Sequence, residues 1–380
     1  MLPFPISSIS PNRISRRLAG IAFPLLMFAT VGGNPCDAQE NTCVESWLSM
    51  REQWRTVLSP LRQPKYDWLL LARAKTVDGQ CVCEKFEYDS LPGRVVLVVG
   101  GLQSNSEASK HFAQSLERQV GAQDEMRFGV FDYPNDGSLE ESGDVLRELL
   151  TRISRESPRT RVTIVSHSMG GLIARRAIEK SESSSNERAV QCVDQLIMIC
   201  PPNHGSVLAQ YADALELADV YTKFKETKQS PIAAVISLLD DGLGEACDDL
   251  VPNSKFLRRL NGEERAKGVR YCVFAGTAGP IDPWTRLAGT VLLKETKQLA
   301  DMKNLDRPVL NETRARAKEL IECDELAHGL GDGAVSVRSA SLDGVHDFVK
   351  VPIHHTEWCK TDGPKVQDLI RRVASKIARP

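Results

Sequence analysis

Val162-Thr-Ile-Val-Ser-His-Ser-Met-Gly-Gly171 is the run that decides the fold. Four β-branched residues open it and read as a buried strand. Gly170 and Gly171 then lead into the helical pattern Leu172-Ile-Ala-Arg-Arg-Ala-Ile-Glu-Lys180. Ser168 falls at the tip of a sharp strand-to-helix turn. A hydroxyl there stands clear of the backbone, and the helix N-terminus beneath it offers N–H groups to an anion. Such a turn brings backbone segments together, so small residues are needed two before and two after the serine. Here they are Ser166 and Gly170. The usual spacing is G-x-S-x-G, from which Ser166 departs by one small residue for another. The plainer alternative is a chance serine in an ordinary strand-loop-helix.

Outward from this run the chain alternates regularly. Strand signals at Val95–Val99, Met126–Tyr133, Arg161–Ser166 and Gln195–Ile199 are interleaved with helical patterns at Glu107–Val120 and Leu139–Ile153. Strands that are apolar through their centres and separated by helices predict an α/β fold, a mostly parallel sheet covered on both faces. The alternation breaks over 206–262, where Ile232, Val235, Ile236 and Leu239 keep helical spacing and no strand signal occurs. An insertion of that length after a sheet strand is expected to be a helical cap or lid, with ordinary packing of extra helices as the alternative. Strands resume at Val269–Ala275 and Phe348–Ile353, and an amphipathic helix closes the chain at Lys365–Ala378. The expected organisation is a signal peptide over 1–38, an N-terminal extension over 39–92, and the main domain over 93–380. The extension carries a helical pattern at Val44–Leu58, a strand at Cys81–Tyr88, and Trp47, Trp54 and Trp68 as core residues.

Bulk properties narrow the class. The 380 residues carry a net charge of −2 with 48 basic against 50 acidic side chains, and no basic cluster is interleaved with aromatics. Nucleic acid is excluded as an expected partner on that ground. Arg13, Arg16 and Arg17 precede an uncharged stretch, Leu18 to Gly33, and Ala38 ends a small-residue cleavage pattern. That is the build of a secretory signal, so the chain is expected to be secreted or periplasmic. The alternative is a membrane anchor formed by the same segment left uncleaved, for which the run is short and broken by Pro24. Of the ten cysteines, Cys192, Cys200 and Cys272 sit in apolar runs and read as buried thiols. Cys43, Cys81, Cys83, Cys247, Cys323 and Cys359 are better placed for bridges. No paired C-x-x-C units occur, which disfavours structural zinc.

A serine hydroxyl becomes a nucleophile beside a histidine base that a carboxylate orients. Two histidines follow the Phe348–Ile353 strand, His354 and His355. Only the ring projecting back over the sheet end can reach Ser168, and His355 is preferred. Two carboxylates compete for the third role. Asp282 follows the Val269–Ala275 strand, whereas Asp332 lies between glycines in Gly331-Asp-Gly333, which suits a tight approach to an imidazole. Asp332 is preferred, and an aspartate bonding its own turn is the alternative for either. Two N–H donors complete the arrangement as an oxyanion hole: Met169, next after the serine, and Leu102 in the loop Gly100-Gly-Leu-Gln103.

These segments together resemble the α/β-hydrolase superfamily, in particular its secreted bacterial lipases and esterases. The likeness runs through Val95–Gln103, Phe131-Asp-Tyr-Pro134, Ile164–Gly171, Cys200-Pro-Pro-Asn-His-Gly-Ser206 and Gly331-Asp-Gly333 to His355, in the family's order of serine, acid and histidine. Asp249 to Asn261 is similar to a cap segment of that group. Gly100-Gly101 stands where the family often has His-Gly. The resemblance implies acyl transfer to water through an acyl-enzyme on Ser168. Hydrophobic carboxyl esters are the implied substrates, with transient contact to a lipid interface and no cofactor. Calcium sometimes binds near the histidine loop in such lipases, but no acidic cluster marks a site here. A thioesterase, amidase or acyltransferase would use the same triad, and a non-catalytic binding protein could share the fold.

Overall fold

The computed structural model of the chain describes residues 66–77, 80–85, 88, 91–101, 106–121, 125–134, 137–179, 191–211, 245–287, 290–291, 315, 318–319 and 321–378. Eight strands form one sheet: β1 (Asp67–Val77), β2 (Gln80–Lys85), β3 (Arg94–Val99), β4 (Met126–Asp132), β5 (Arg161–His167), β6 (Val193–Ile199), β7 (Arg270–Gly276) and β8 (Phe348–Val351). Their order across the sheet is β2-β1-β4-β3-β5-β6-β7-β8. From β4 to β8 every neighbouring pair is parallel, while β1 runs antiparallel to both β2 and β4. A six-strand parallel sheet in this order, extended by a hairpin, is the α/β-hydrolase fold. The chain moves outward from β3 to β4 and then returns to the other side of β3 to make β5. This reversal opens a crevice at the C-terminal ends of β3 and β5, where sheets of this kind take their ligands.

The strands alternate faces residue by residue, and each face has its own helices. Leu97, Val99, Ile164, Leu196, Met198 and Val273 point to one side. There α2 (Leu139–Glu156) and α3 (Met169–Glu179) bury Leu146, Leu150, Leu172 and Ile173 against them. Val96, Val98, Phe128, Val165, Ile197 and Phe274 point to the other side, against α1 (Ser106–Val120) and the C-terminal helix Pro364–Ile377. With both faces covered, the central strands are mostly apolar on both sides, which is why they read so clearly in the sequence. α2 starts where Ser138 accepts from the Glu140 N–H at 3.2 Å, and the C-terminal helix starts with Pro364 in its first turn.

Two parts differ from expectation. The segment expected as an extension supplies β1, where no strand was expected, and β2, which ends at Lys85 rather than Tyr88. Trp68 on β1 packs edge-on against Phe131, ring centroids 5.9 Å apart, so its expected core role holds. Trp47 and Trp54 lie outside the described residues, as does 1–38. Cys200 and Cys272 are buried free thiols as expected, but Cys359, expected in a bridge, is an exposed free thiol.

The expected insertion is described only at its ends. Val207–Tyr211 forms a 3-10 turn, and α4 (Glu245–Leu250) and α5 (Lys255–Gly262) follow 212–244, which lie outside the described residues together with the Ile232–Leu239 pattern. α5 is packed into the core through Phe256, Leu257 and Leu260. It also meets α3 through Arg175, which is fully buried. Its guanidinium pairs with Glu179 at 3.0 Å and donates to the Asn203 and Asn261 side chains and the Leu260 carbonyl. A buried arginine persists only with its donors satisfied, and here those partners lock α3 to the loop after β6 and to α5.

Candidate active site

The turn after β5 carries Ser168 at φ 52, a left-handed conformation that is rare outside glycine. Its own N–H donates to the Ile199 carbonyl at 2.8 Å, and its carbonyl accepts from Gly171 at 2.9 Å, so the strained turn is tied to β6 and to α3. The need for small neighbours is concrete. A Cβ on Gly170 would lie 2.2 Å from the Gly100 carbonyl oxygen, and one on Gly101 would lie 2.7 Å from the Ser168 Cβ. The latter contact gives a reason for Gly100-Gly101 in the loop after β3. Ser166, in place of the first glycine, is buried and turns its hydroxyl to the Ile197 carbonyl at 3.4 Å.

The fold brings three of the expected side chains into one hydrogen-bonded chain. The His355 Nε2 lies 2.9 Å from the Ser168 Oγ, and its Nδ1 lies 2.8 Å from the Asp332 Oδ2. An ionised carboxylate only accepts, so Nδ1 carries the proton and donates it to Asp332. The lone pair on Nε2 is thereby left to accept from the Ser168 hydroxyl. All three residues are buried, Asp332 completely. Asp332 is fixed on its other side as well: Oδ1 accepts from the Ala334 and Val335 N–H groups at 3.0 and 2.8 Å, and its carbonyl accepts from the His355 N–H at 2.8 Å. Burial pushes the carboxyl's pKa up, but the His355 charge and the bonds from His355, Val335 and Cys200 outweigh it, leaving Asp332 below the usual range.

The rival residues point elsewhere. Asp282 is exposed and caps its own turn, accepting from the Trp284 and Thr285 N–H groups and the Thr285 hydroxyl. His354 turns its Nδ1 to the Thr356 hydroxyl at 3.1 Å and lays its ring against Gly333, where a Cβ would lie 2.4 Å from Nε2. Met169 opens α3, so its N–H is one of those that a helix start leaves without an intrahelical acceptor. Leu102 lies outside the described residues. The preceding Gly100 is held by Tyr133, whose buried hydroxyl donates to its carbonyl at 2.6 Å. Burial, then the neighbouring Asp132 charge, raises the phenol's pKa and keeps it a donor.

Two neighbours of the triad were not singled out from the sequence. His167 stacks on Trp358 at 4.4 Å between centroids and meets the His355 ring at a tilt at 4.9 Å, and its Nε2 donates to the His355 carbonyl at 3.1 Å. Burial, then the His355 charge, holds it well below the ordinary imidazole range, so it is a neutral strut for the residue that bears the base. Its place beside Ser168 in the quoted run was the available signal. Cys200, immediately after β6, is fully buried with its thiol within 4.8 Å of a carboxylate oxygen of Asp332. Nothing in the sequence connects those two positions. Among the described residues, Cys200, Asp332 and His355 are the one group of metal-ligating side chains close enough to share an ion. Burial and the Asp332 charge push the thiol's pKa well up, so at neutral pH it is a thiol rather than a thiolate ligand.

Residues 73–302 match the family described as a domain of unknown function, DUF7379. No curated protein matches the chain by sequence. Among solved structures the chain is similar to the mature form of the lipase BlEst2 from Bacillus licheniformis, with 17% identity over 80% of this chain and 98% of that one and a TM-score of 0.44. It is similar to phospholipase PlaB from Legionella pneumophila at 17% identity, covering 65% of this chain and 45% of that one, with a TM-score of 0.40. It is also similar to the apo form of Thermogutta terrifontis esterase 2 at 13% identity, covering 81% and 92%, with a TM-score of 0.36.

Proposed function

The chain belongs to the DUF7379 family, and from that premise we propose that it is a serine hydrolase of carboxyl esters. Ser168 is its nucleophile, His355 its base, and Asp332 the carboxylate that orients the base. The observation that carries this reading is the continuous chain from the Ser168 Oγ through both ring nitrogens of His355 to a fully buried Asp332. In the first half-reaction the Ser168 Oγ attacks the ester carbonyl carbon as its proton passes to the His355 Nε2. The tetrahedral oxyanion is held by the Met169 N–H at the start of α3 and by the Leu102 N–H. His355 then returns the proton to the departing alkoxide, and the acyl group stays on Ser168. Water, deprotonated by the same Nε2, attacks the acyl-enzyme, and collapse of the second tetrahedral species releases the acid and restores Ser168.

Hydrophobic acyl esters are the substrates this reading favours. Trp284 and Leu287, in the segment that follows β7, and Leu330, shortly before Asp332, are large apolar side chains exposed to solvent. Such residues support transient contact with a lipid interface, and the chemistry calls for no cofactor. Residues 1–38 are read as an export signal, which N-terminal sequencing of the mature protein tests.

A fluorophosphonate probe tests the central reading, because it reacts with an activated serine whatever the substrate. Labelling of wild type and of His354→Ala is expected, with none in Ser168→Ala and strong loss in His355→Ala. Well-folded wild type that stays unlabelled in the presence of detergent would sink the reading. A panel of ester, thioester and amide substrates then separates an esterase from a thioesterase, amidase or acyltransferase.

A further inference from the structure

Cys200 sits where its backbone disfavours it. At φ 51 it occupies the left-handed region, uncomfortable for a residue with a Cβ, and Pro201 follows it directly. A non-glycine residue persists in such a place where its side chain makes a compensating contact. The Cys200 side chain is fully buried, and its Sγ lies within 4.8 Å of both a carboxylate oxygen of Asp332 and a ring nitrogen of His355. Gly276, at the end of β7, makes room for this meeting. A Cβ there would lie 2.6 Å from the Asp332 Cβ and 3.0 Å from both the Asp332 Oδ2 and the Cys200 Sγ. Asp332 is closed off from solvent, and its N–H donors are those of Ala334 and Val335 on Oδ1 and the His355 ring on Oδ2. A carboxylate has room for about four donors, so these three bonds leave a position open to the nearby Cys200 thiol.

We propose that Cys200 is a positioning residue: its S–H holds the Asp332 carboxylate in the rotamer that faces His355 and tempers the negative charge that His355 feels. This rests on the reading of Ser168, His355 and Asp332 as a catalytic triad. Two consequences follow, and simple filling of space would produce neither. Removing the donor loosens the carboxylate without touching the substrate, so kcat falls while KM stays. It also leaves more of the carboxylate's charge on the imidazole, which favours the imidazolium and moves the acid limb of the kcat/KM profile to higher pH. The other titratable groups facing this pair are His167 on the His355 ring, His354 beside it and Glu325 behind the Asp332 turn, and all stay in place in the test variants.

The test compares Cys200→Ser, which keeps a hydroxyl donor, with Cys200→Ala and Cys200→Gly, which remove it. Glycine also relaxes the left-handed backbone, so a variant without the donor remains folded for measurement. On a short-chain p-nitrophenyl ester, Ala and Gly are expected to lose roughly tenfold in kcat at constant KM, with Ser within about threefold of wild type. The acid limb should move up in Ala and Gly only. The downfield NMR resonance of the proton between Asp332 and His355 should shift in Ala and Gly and return towards the wild-type position in Ser. A Gly variant with wild-type kcat and resonance, or a Ser variant as impaired as Ala, overturns the proposal. If the wild type neither hydrolyses esters nor takes the fluorophosphonate, it is the hydrolase reading that fails. The resonance still decides whether Cys200 holds Asp332: a shift in Gly reversed in Ser supports the contact, and an unmoved resonance refutes it.

Discussion

Two turns beyond the end of β7 carry an aspartate in the same local arrangement. Asp282 accepts through Oδ1 from the N–H groups two and three residues on, at 2.9 and 3.1 Å, and Asp332 does the same at 3.0 and 2.8 Å. They part company at the second oxygen. The Asp282 Oδ2 takes the hydroxyl of its own neighbour Thr285 at 2.5 Å and sits in solvent, whereas the Asp332 Oδ2 takes the ring of a histidine from another segment and is fully buried. Both carboxyls are held below the ordinary range. In Asp282 the Thr285 hydroxyl leads, with turn N–H groups behind it. In Asp332 burial works in the opposite direction, and the His355 charge and several bonds outweigh it. One local motif thus yields a helix cap in one place and a candidate catalytic acid in the other. The difference lies in what the second oxygen meets.

The sharpest way to break this comparison is to neutralise each carboxylate in turn. Asp332→Asn should lower kcat for a soluble ester by about 10³–10⁴-fold, because an amide N–H can face the imidazole and favour the wrong tautomer. Asp282→Asn should stay within about twofold of wild type. Equal losses would end the distinction. Gly276→Ala comes next: its Cβ would press on the Asp332 Cβ, and displacement of the carboxylate should cost about 100-fold in kcat. A wild-type rate in that variant would mean that the buried turn tolerates movement.

Stability against pH sharpens the same contrast. A carboxyl lowered in the folded state contributes stability above its unfolded value, about 4, and loses it as pH falls through the folded value. Urea unfolding should therefore show the gap between wild type and Asp332→Asn wide at neutral pH and narrowing below about pH 4. Asp282→Asn should show the same sign on a smaller scale, because solvent screens its contacts. A gap for Asp332→Asn that does not change between neutral and acid pH would show that the ionised form does not support the fold. The smallest effect is expected at His354, which packs on the Asp332 turn but turns its Nδ1 to Thr356. His354→Ala should keep kcat within about threefold.

How far the sequence could be read follows from the range of each interaction. The elbow is a local object: Ser168, the glycines after it, the strand before and the helix beyond form one continuous stretch from β5 through α3. The central parallel strands were equally plain, because burial on both faces leaves them mostly apolar on both sides. β1 was not, because its apolar run Trp68-Leu-Leu-Leu-Ala72 is short and by periodicity alone fits a buried helix segment as well as a strand. The carboxylate and histidine were narrowed to pairs by turn chemistry and position after a strand. The choice within each pair depends on contacts between segments far apart in the chain.

The sequence by itself therefore determined the layered parallel sheet and the serine at its sharpest turn, because apolar periodicity and glycine spacing act over a few residues. Only the tertiary structure decided that Asp332 rather than Asp282 meets a histidine ring, that His355 rather than His354 faces Ser168, and that His167 and Cys200 lie against them. The reason is physical: two aspartates that share the same turn N–H bonds at the first oxygen differ at the second, which in Asp332 meets a histidine, and that meeting depends on where β5, β6, β7 and β8 end together in space.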